Sequence, residues 1–128
     1  MIIALDFDGT LADHAFPEIG KPRTWLIEQA IEWRKGGDKI ILWTCREDVN
    51  IADHASYVPR NYLTEAVEWC KKFGLEFDAI NQQLEEIDDP MLKVSRKIFA
   101  DIYIDDRAVI FNDKTESILN MSDVDGLI

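Results

Sequence analysis

The stretch ALDFDGTLAD, residues 4–13, decides how the rest of the chain is read. An apolar run from Met1 to Leu5 has the character of a buried strand, expected over about Ile2 to Asp6, yet it leads straight into Asp6, Asp8, Gly9 and Thr10. Carboxylates at the end of a core strand are costly unless something compensates them. The compensating groups have to come from elsewhere in the chain, so the remaining elements are read for what they bring to this point.

Downstream, apolar runs alternate with helical periodicity. Residues from about Thr24 to Lys35 predict a helix, with Trp25, Leu26, Ile27, Ile31 and Trp33 apolar and Gly36-Gly37 closing it. KIILWT, Lys39 to Thr44, reads as a second buried strand, and a polar loop leads to a helix from about Asn61 to Phe73. Leu63, Ala66, Val67 and Cys70 fall on one face of that helix, with Gly74 at its C-cap. Further strands are expected at Phe77–Ile80, at Ile98–Ile104 ending in Asp105-Asp106, and at Ala108–Phe111, then a short helix near Thr115–Asn120. Strands separated by helices imply parallel βαβ units with right-handed crossovers. The expectation is one α/β domain over residues 1–128, an open, mainly parallel Rossmann-like sheet with helices on both faces. Such sheets bind ligands at the carboxyl ends of their strands.

The bulk composition narrows the partners. With 25 Asp and Glu against 14 Lys and Arg, the net charge is -11, which disfavours nucleic acid and anionic membranes without excluding a local basic groove. There is no membrane-length apolar run and no signal-peptide pattern, and Cys45 and Cys70 lack metal-type spacing. A soluble cytoplasmic protein is expected, with Cys45 a free buried thiol rather than a nucleophile.

In a parallel sheet the ends of the strands point one way, so Asp6, Thr44 and Asp105-Asp106 converge, and a lysine, Lys93 or Lys97, lies just upstream of the later strand. Several carboxylates cannot stay ionised together without a cation, and oxygen ligands alone suit Mg²⁺.

These motifs resemble the haloacid dehalogenase superfamily of aspartate-nucleophile phosphohydrolases. IIALDFDGTL matches its first motif, an apolar strand followed by DxDGT; IILWT matches the second at Thr44; IYIDD matches the fourth at Asp105 and Asp106. The ordered set spans residues 2–106. The resemblance implies a phosphatase of the phosphoric monoester class. Asp6 would be the nucleophile, carrying an aspartyl-phosphate, and Asp8 the general acid and base. Gly9 and Thr10 of the motif, with Thr44, would surround the phosphate. Mg²⁺ would sit between Asp6, the Asp8 backbone carbonyl and Asp105, supported by Asp106. Lys97, favoured over Lys93 because KIFADIYIDD reads as one unit, would neutralise charge on nucleophile and phosphate.

No large insertion follows Thr10 or Thr44, so a member without a cap domain is expected, with His14–Arg23 and Arg46–Arg60 as a small local lid or a second subunit of a homo-oligomer supplying one. The substrate would be a phosphorylated small molecule or macromolecule. Arg46 is a candidate for gripping a second phosphate, against the plainer reading of a surface arginine; His14 and His54 read as exposed loop residues, the four tryptophans as core, and EEIDD (85–89) as a solvated loop. Three other readings compete. A signalling receiver domain is opposed by motif order, a silent relative that binds a phosphorylated ligand by retention of both Asp6 and Asp8, and a phosphomutase by the lack of a cap.

Overall fold

The structure, a computed structural model, describes residues 1–50, 58–112, 114, 115 and 117–119. Its elements are β1 (Ile2–Leu5), α1 (Thr24–Lys35), β2 (Lys39–Leu42), β3 (Asp48–Val49), β4 (Arg60–Asn61), α2 (Tyr62–Lys72), β5 (Ala79–Ile80), α3 (Pro90–Val94), β6 (Ile102–Ile104), β7 (Ile110–Asn112) and β8 (Ser117–Leu119). The central sheet is parallel throughout, in the order β5-β2-β1-β6. Ile3 stands opposite Ile40 on one side and Ile102 on the other, so the three motif-bearing strands end side by side.

The period-2 alternation of the strands sorts their side chains between two layers. Ile3, Leu5, Ile40 and Leu42 pack with Leu26, Ile27 and Ala30 of α1 and with Ala66 and Cys70 of α2. Ala4 and Ile41 face the other way, against Ala79, Leu84, Ile98 and Ala100. The expected helices on both faces are therefore corrected: both long helices lie on one. Chain direction explains it. The steps from β1 to β2 to β5 run the same way across the sheet, so right-handed crossovers place α1 and α2 together, and the return to β6 crosses the opposite face.

That return is mostly irregular. It contains only α3, none of whose side chains is buried. Side chains satisfy its backbone instead: Gln83 accepts from Phe99 N (3.0 Å) and donates to Lys97 O (3.2 Å). Tyr103 Oη donates to Ile98 O (2.6 Å) and accepts from Ala100 N (3.2 Å), which is why the strand begins at Ile102 and not at Ile98.

Other expectations shift locally. β7 and β8 pair antiparallel as a separate hairpin, so Ser117–Leu119 is a strand where a helix was expected; Asn120 lies outside the described residues. Trp25 is 71% exposed rather than core. In EEIDD, Asp89 caps α3 by accepting from Met91 N and Leu92 N, and Asp88 pairs with Lys93, in keeping with a solvated segment. Helix α2 has no side-chain cap of its own; Asp48 reaches over to accept from Leu63 N (3.0 Å), Thr64 N (2.9 Å) and Thr64 Oγ1 (2.5 Å). Burial alone would raise the Asp48 carboxyl, but these three donors hold it below its ordinary value. No helix among the described residues is long and apolar enough to cross a membrane.

Candidate active site

Beyond β1 the alternation continues for three more residues. Phe7 turns into the core, fully buried and edge-on to Trp69 at 5.5 Å, while Asp6 and Asp8 on either side of it line a cleft. The chain then reverses, with Thr10, Leu11 and Ala12 all donating to Phe7 O at 3.0, 2.9 and 3.2 Å. This turn needs Gly9, whose φ is +87°. A Cβ there would collide with His14 Nε2 and lie 2.5 Å from Asp106 Oδ2, so the glycine opens the space in which those two groups meet.

The chain leaves β1 on one side for its neighbour β2, whereas its other neighbour, the parallel β6, is reached only after the long return across the opposite face. This is the switch point where open α/β sheets leave a crevice. Asp6 and Asp105-Asp106 stand on its two sides, each offering an oxygen, all within 4.8 Å of one another. The buried Thr10 hydroxyl knits them together: it lies 3.1 Å from Asp6 Oδ2 and 3.4 Å from Asp106 Oδ1, and it accepts from Asp106 N at 3.1 Å.

Burial pushes the Asp6 carboxyl up to about 6, and the charges of Asp105 and Asp106 add to the rise; the Phe7 amide and Thr10 hydroxyl oppose it only in part. Asp106 goes the other way. Burial would raise it, but His14, bonded at 2.8 Å, together with hydrogen bonds from Asp6 and its own backbone amide, holds it below its ordinary value. Asp105 is exposed, and its carboxylate accepts from Arg107 N at 2.8 Å. Three carboxylates in this spacing could hold a metal ion through oxygen ligands.

Asp8 belongs to a different environment. Its two oxygens accept from Arg46 Nε (2.8 Å) and Nη2 (2.9 Å), a bidentate pair. The Arg46 side chain is only 1% exposed, and it also donates to Tyr62 O (3.1 Å) and Glu18 O (3.0 Å). Its Cζ lies 5.1 Å from the Phe7 ring centroid and 5.0 Å from that of Phe16. The guanidinium, read from sequence as a candidate grip for a second phosphate or as a plain surface arginine, is neither at the surface nor uncommitted: a neighbouring carboxylate, two carbonyls and two rings satisfy it inward.

Thr44 also lines the cleft. Its Oγ1 accepts from Arg46 N at 3.1 Å, which leaves the hydroxyl hydrogen to donate. Asn81, at φ 52°, fixes this strand end: Oδ1 accepts from Thr44 N, and Nδ2 donates to Arg46 O and Glu47 Oε1. The cleft has a volume of about 430 Å³ and is lined by Asp6, Asp8, Thr44, Arg46 and Asp105 together with His14, Phe16, Cys45 and Arg107. Cys45 is exposed there rather than buried, while burial pushes Cys70 up to about 12. Hollows of about 400 and 600 Å³ occur elsewhere, but neither is lined by the motif acids Asp6, Asp8, Asp105 and Asp106.

Neither candidate lysine lines the cleft. Lys93 Nζ lies 3.0 Å from Asp88, and Lys97 Nζ sits 5.2 Å from the Tyr103 ring centroid; Lys97 precedes β6 and so lies toward the amino end of the strand, away from the acids that follow its carboxyl end. His14 and Phe16, from the expected lid, are at the cleft; His54 lies outside the described residues. Asn81, Arg107 and the His14–Asp106 pair were not singled out from sequence. An asparagine directly after a strand, where a left-handed residue ends the element, was the one usable sign.

These features define an α/β protein that gathers carboxylates at the switch point of a parallel sheet. A solved structure of a conserved protein from Bacteroides thetaiotaomicron is similar to the chain, with a TM-score of 0.65 and 36% identity, covering 84% of this chain and 77% of that one. The chain belongs to the family of that protein. No family profile and no curated protein matches it.

Proposed function

We propose that this protein is a Mg²⁺-dependent phosphomonoesterase of the haloacid dehalogenase superfamily, built on the HAD-like Rossmann fold without a large cap. The observation that carries this reading is the convergence of Asp6 with Asp105 and Asp106 at one switch point, with Asp8 and Thr44 lining the same cleft. Asp6, Asp105 and Asp106 would hold the ion, which when bound offsets negative charge on carboxylates and phosphoryl oxygens.

An Asp6 oxygen attacks phosphorus as the ester P–O bond breaks, and the departing oxygen keeps the electron pair and takes a proton from Asp8. Asp8 then removes a proton from water, whose oxygen attacks phosphorus and releases inorganic phosphate and free Asp6. The Thr44 hydroxyl donates to a phosphoryl oxygen. Thr10 positions Asp6 and Asp106 through its hydrogen bonds, and Gly9 makes room for the turn. Substrates in this reading are phosphorylated small molecules or accessible phosphate groups on macromolecules.

One feature favours a second reading, a silent protein that binds a phosphorylated ligand: both Asp8 oxygens are already engaged by Arg46. Turnover across a panel of phosphate esters decides between them. The phosphatase reading expects Mg²⁺-dependent release of phosphate, abolished by chelator and reduced about 1000-fold or more in Asp6→Asn. Turnover that survives either treatment contradicts it, and phosphate binding without turnover on any ester supports the second reading.

A further inference from the structure

One divalent ion offsets only part of the charge of a phosphate dianion beside three carboxylates, so positive charge from the protein would stabilise the complex further, and the expected lysines are elsewhere. Among the basic side chains that do line the cleft, Arg46 is committed to Asp8, Tyr62 O and Glu18 O, and His14 is hydrogen-bonded to Asp106. Arg107 is different. It is exposed, lines the cleft with Asp6, Asp8 and Thr44, and its backbone N–H is pinned to Asp105. Its guanidinium makes no salt bridge with any carboxylate among the described residues.

We propose that Arg107 is a catalytic residue of the phosphoryl transfer proposed above, binding the transferring phosphoryl group in place of a lysine. The inference rests on that reading of the site. A guanidinium presents a planar fork of N–H donors that matches phosphoryl oxygens, and it stays charged throughout the working pH range. As the Asp6 oxygen bonds to phosphorus and the ester oxygen departs with its electron pair, Arg107 forms no covalent bond and moves no proton. It holds the equatorial oxygens while charge is redistributed among them. Its place directly after Asp106 ties it to the turn that carries the acid pair, so this cation follows β6 where the sequence suggested one before it.

The test compares Arg107→Gln and Arg107→Lys with Lys93→Gln and Lys97→Gln, using the best ester of the panel with Mg²⁺ and, separately, inhibition or direct binding of orthovanadate. Arg107→Gln is expected to lower kcat roughly 100-fold and to weaken orthovanadate binding with an unchanged melting temperature. Arg107→Lys should recover part of both, and the two lysine variants should match the unsubstituted protein. Wild-type kcat and orthovanadate affinity in Arg107→Gln, or the main loss appearing in Lys97→Gln, overturns the assignment. If the unsubstituted protein binds orthovanadate without turnover, the binding arm decides alone. If it neither turns over nor binds, or if Asp6→Asn remains active, the phosphatase reading itself fails and the assignment falls with it.

Discussion

The two flanks of β1 treat the same kind of side chain, an aspartate, in opposite ways. Toward β6, Asp6 meets Asp105 and Asp106 with only a hydroxyl and a histidine among them, and burial pushes it up to about 6. Toward β2, Asp8 is held by a bidentate, buried arginine whose other donors reach two backbone carbonyls. The acidic flank could hold a metal ion, whereas the arginine flank already contains a cation of the protein's own. Two carboxylates only two residues apart thus acquire different chemistry from their neighbours, not from their position on the turn.

The comparison breaks most sharply at Arg46. Arg46→Met strands Asp8 and two carbonyls, so an equilibrium denaturation curve should show a loss of about 3–5 kcal/mol. Adding Asp8→Asn should restore part of that loss, because the uncompensated charge disappears. A loss below about 1 kcal/mol in the single variant would mean that the arginine does not organise its flank. On the acidic flank, Gly9→Ala forces a Cβ into the His14–Asp106 pair and strains a positive φ, and should cost about 1–3 kcal/mol in thermal or chemical unfolding. An unchanged midpoint would show that the pair is not packed against the turn.

The raised Asp6 carboxyl sharpens the contrast further. Its ordinary value is 3.8 and its folded value about 6, so without metal the folded state binds the proton more tightly. Its contribution to stability is therefore fully present below the ordinary value and is lost as pH rises toward the folded one. The stability difference between the protein and Asp6→Asn should change over that window by on the order of 1 kcal/mol, discounted because the group is partly exposed. A flat difference would mean that Asp6 is not crowded. The smallest effect belongs to Asp48→Ala, about 1 kcal/mol at neutral pH from the lost cap on α2. Because the Asp48 carboxyl is held low, this contribution is present above its ordinary value and disappears as pH falls through the lowered one. Urea titrations at neutral and acid pH check both the size and the sign.

Much of this arrangement could be read in the sequence because it is written locally. ALDFDGT carries the strand, the alternation that buries Phe7 between two acids, and the glycine turn; IYIDD and IILWT end strands that a parallel sheet aligns. What escaped depends on contacts between distant residues. Arg46 has the local look of a surface residue, and it is Asp8, the carbonyls of Glu18 and Tyr62 and the rings of Phe7 and Phe16 together that draw it inward. Lys97 is favoured in the sequence because KIFADIYIDD reads as one unit, but a residue ahead of a parallel strand lies toward its amino end, opposite the acid pair that follows it. The second face was expected to carry helices because strands alternate with helices along the chain; the return from β5 to β6 instead covers it through Leu84, Ile98 and Ala100.

The most direct test of the central claim is to incubate the protein with Mg²⁺ and acetyl phosphate, quench in acid, and find the phosphoryl group by peptide mass spectrometry. The account predicts one hydroxylamine-labile phosphoryl group on the peptide containing Asp6 and none in Asp6→Asn. A phosphoryl group on another residue, or turnover that proceeds with no labelled Asp6, would contradict it.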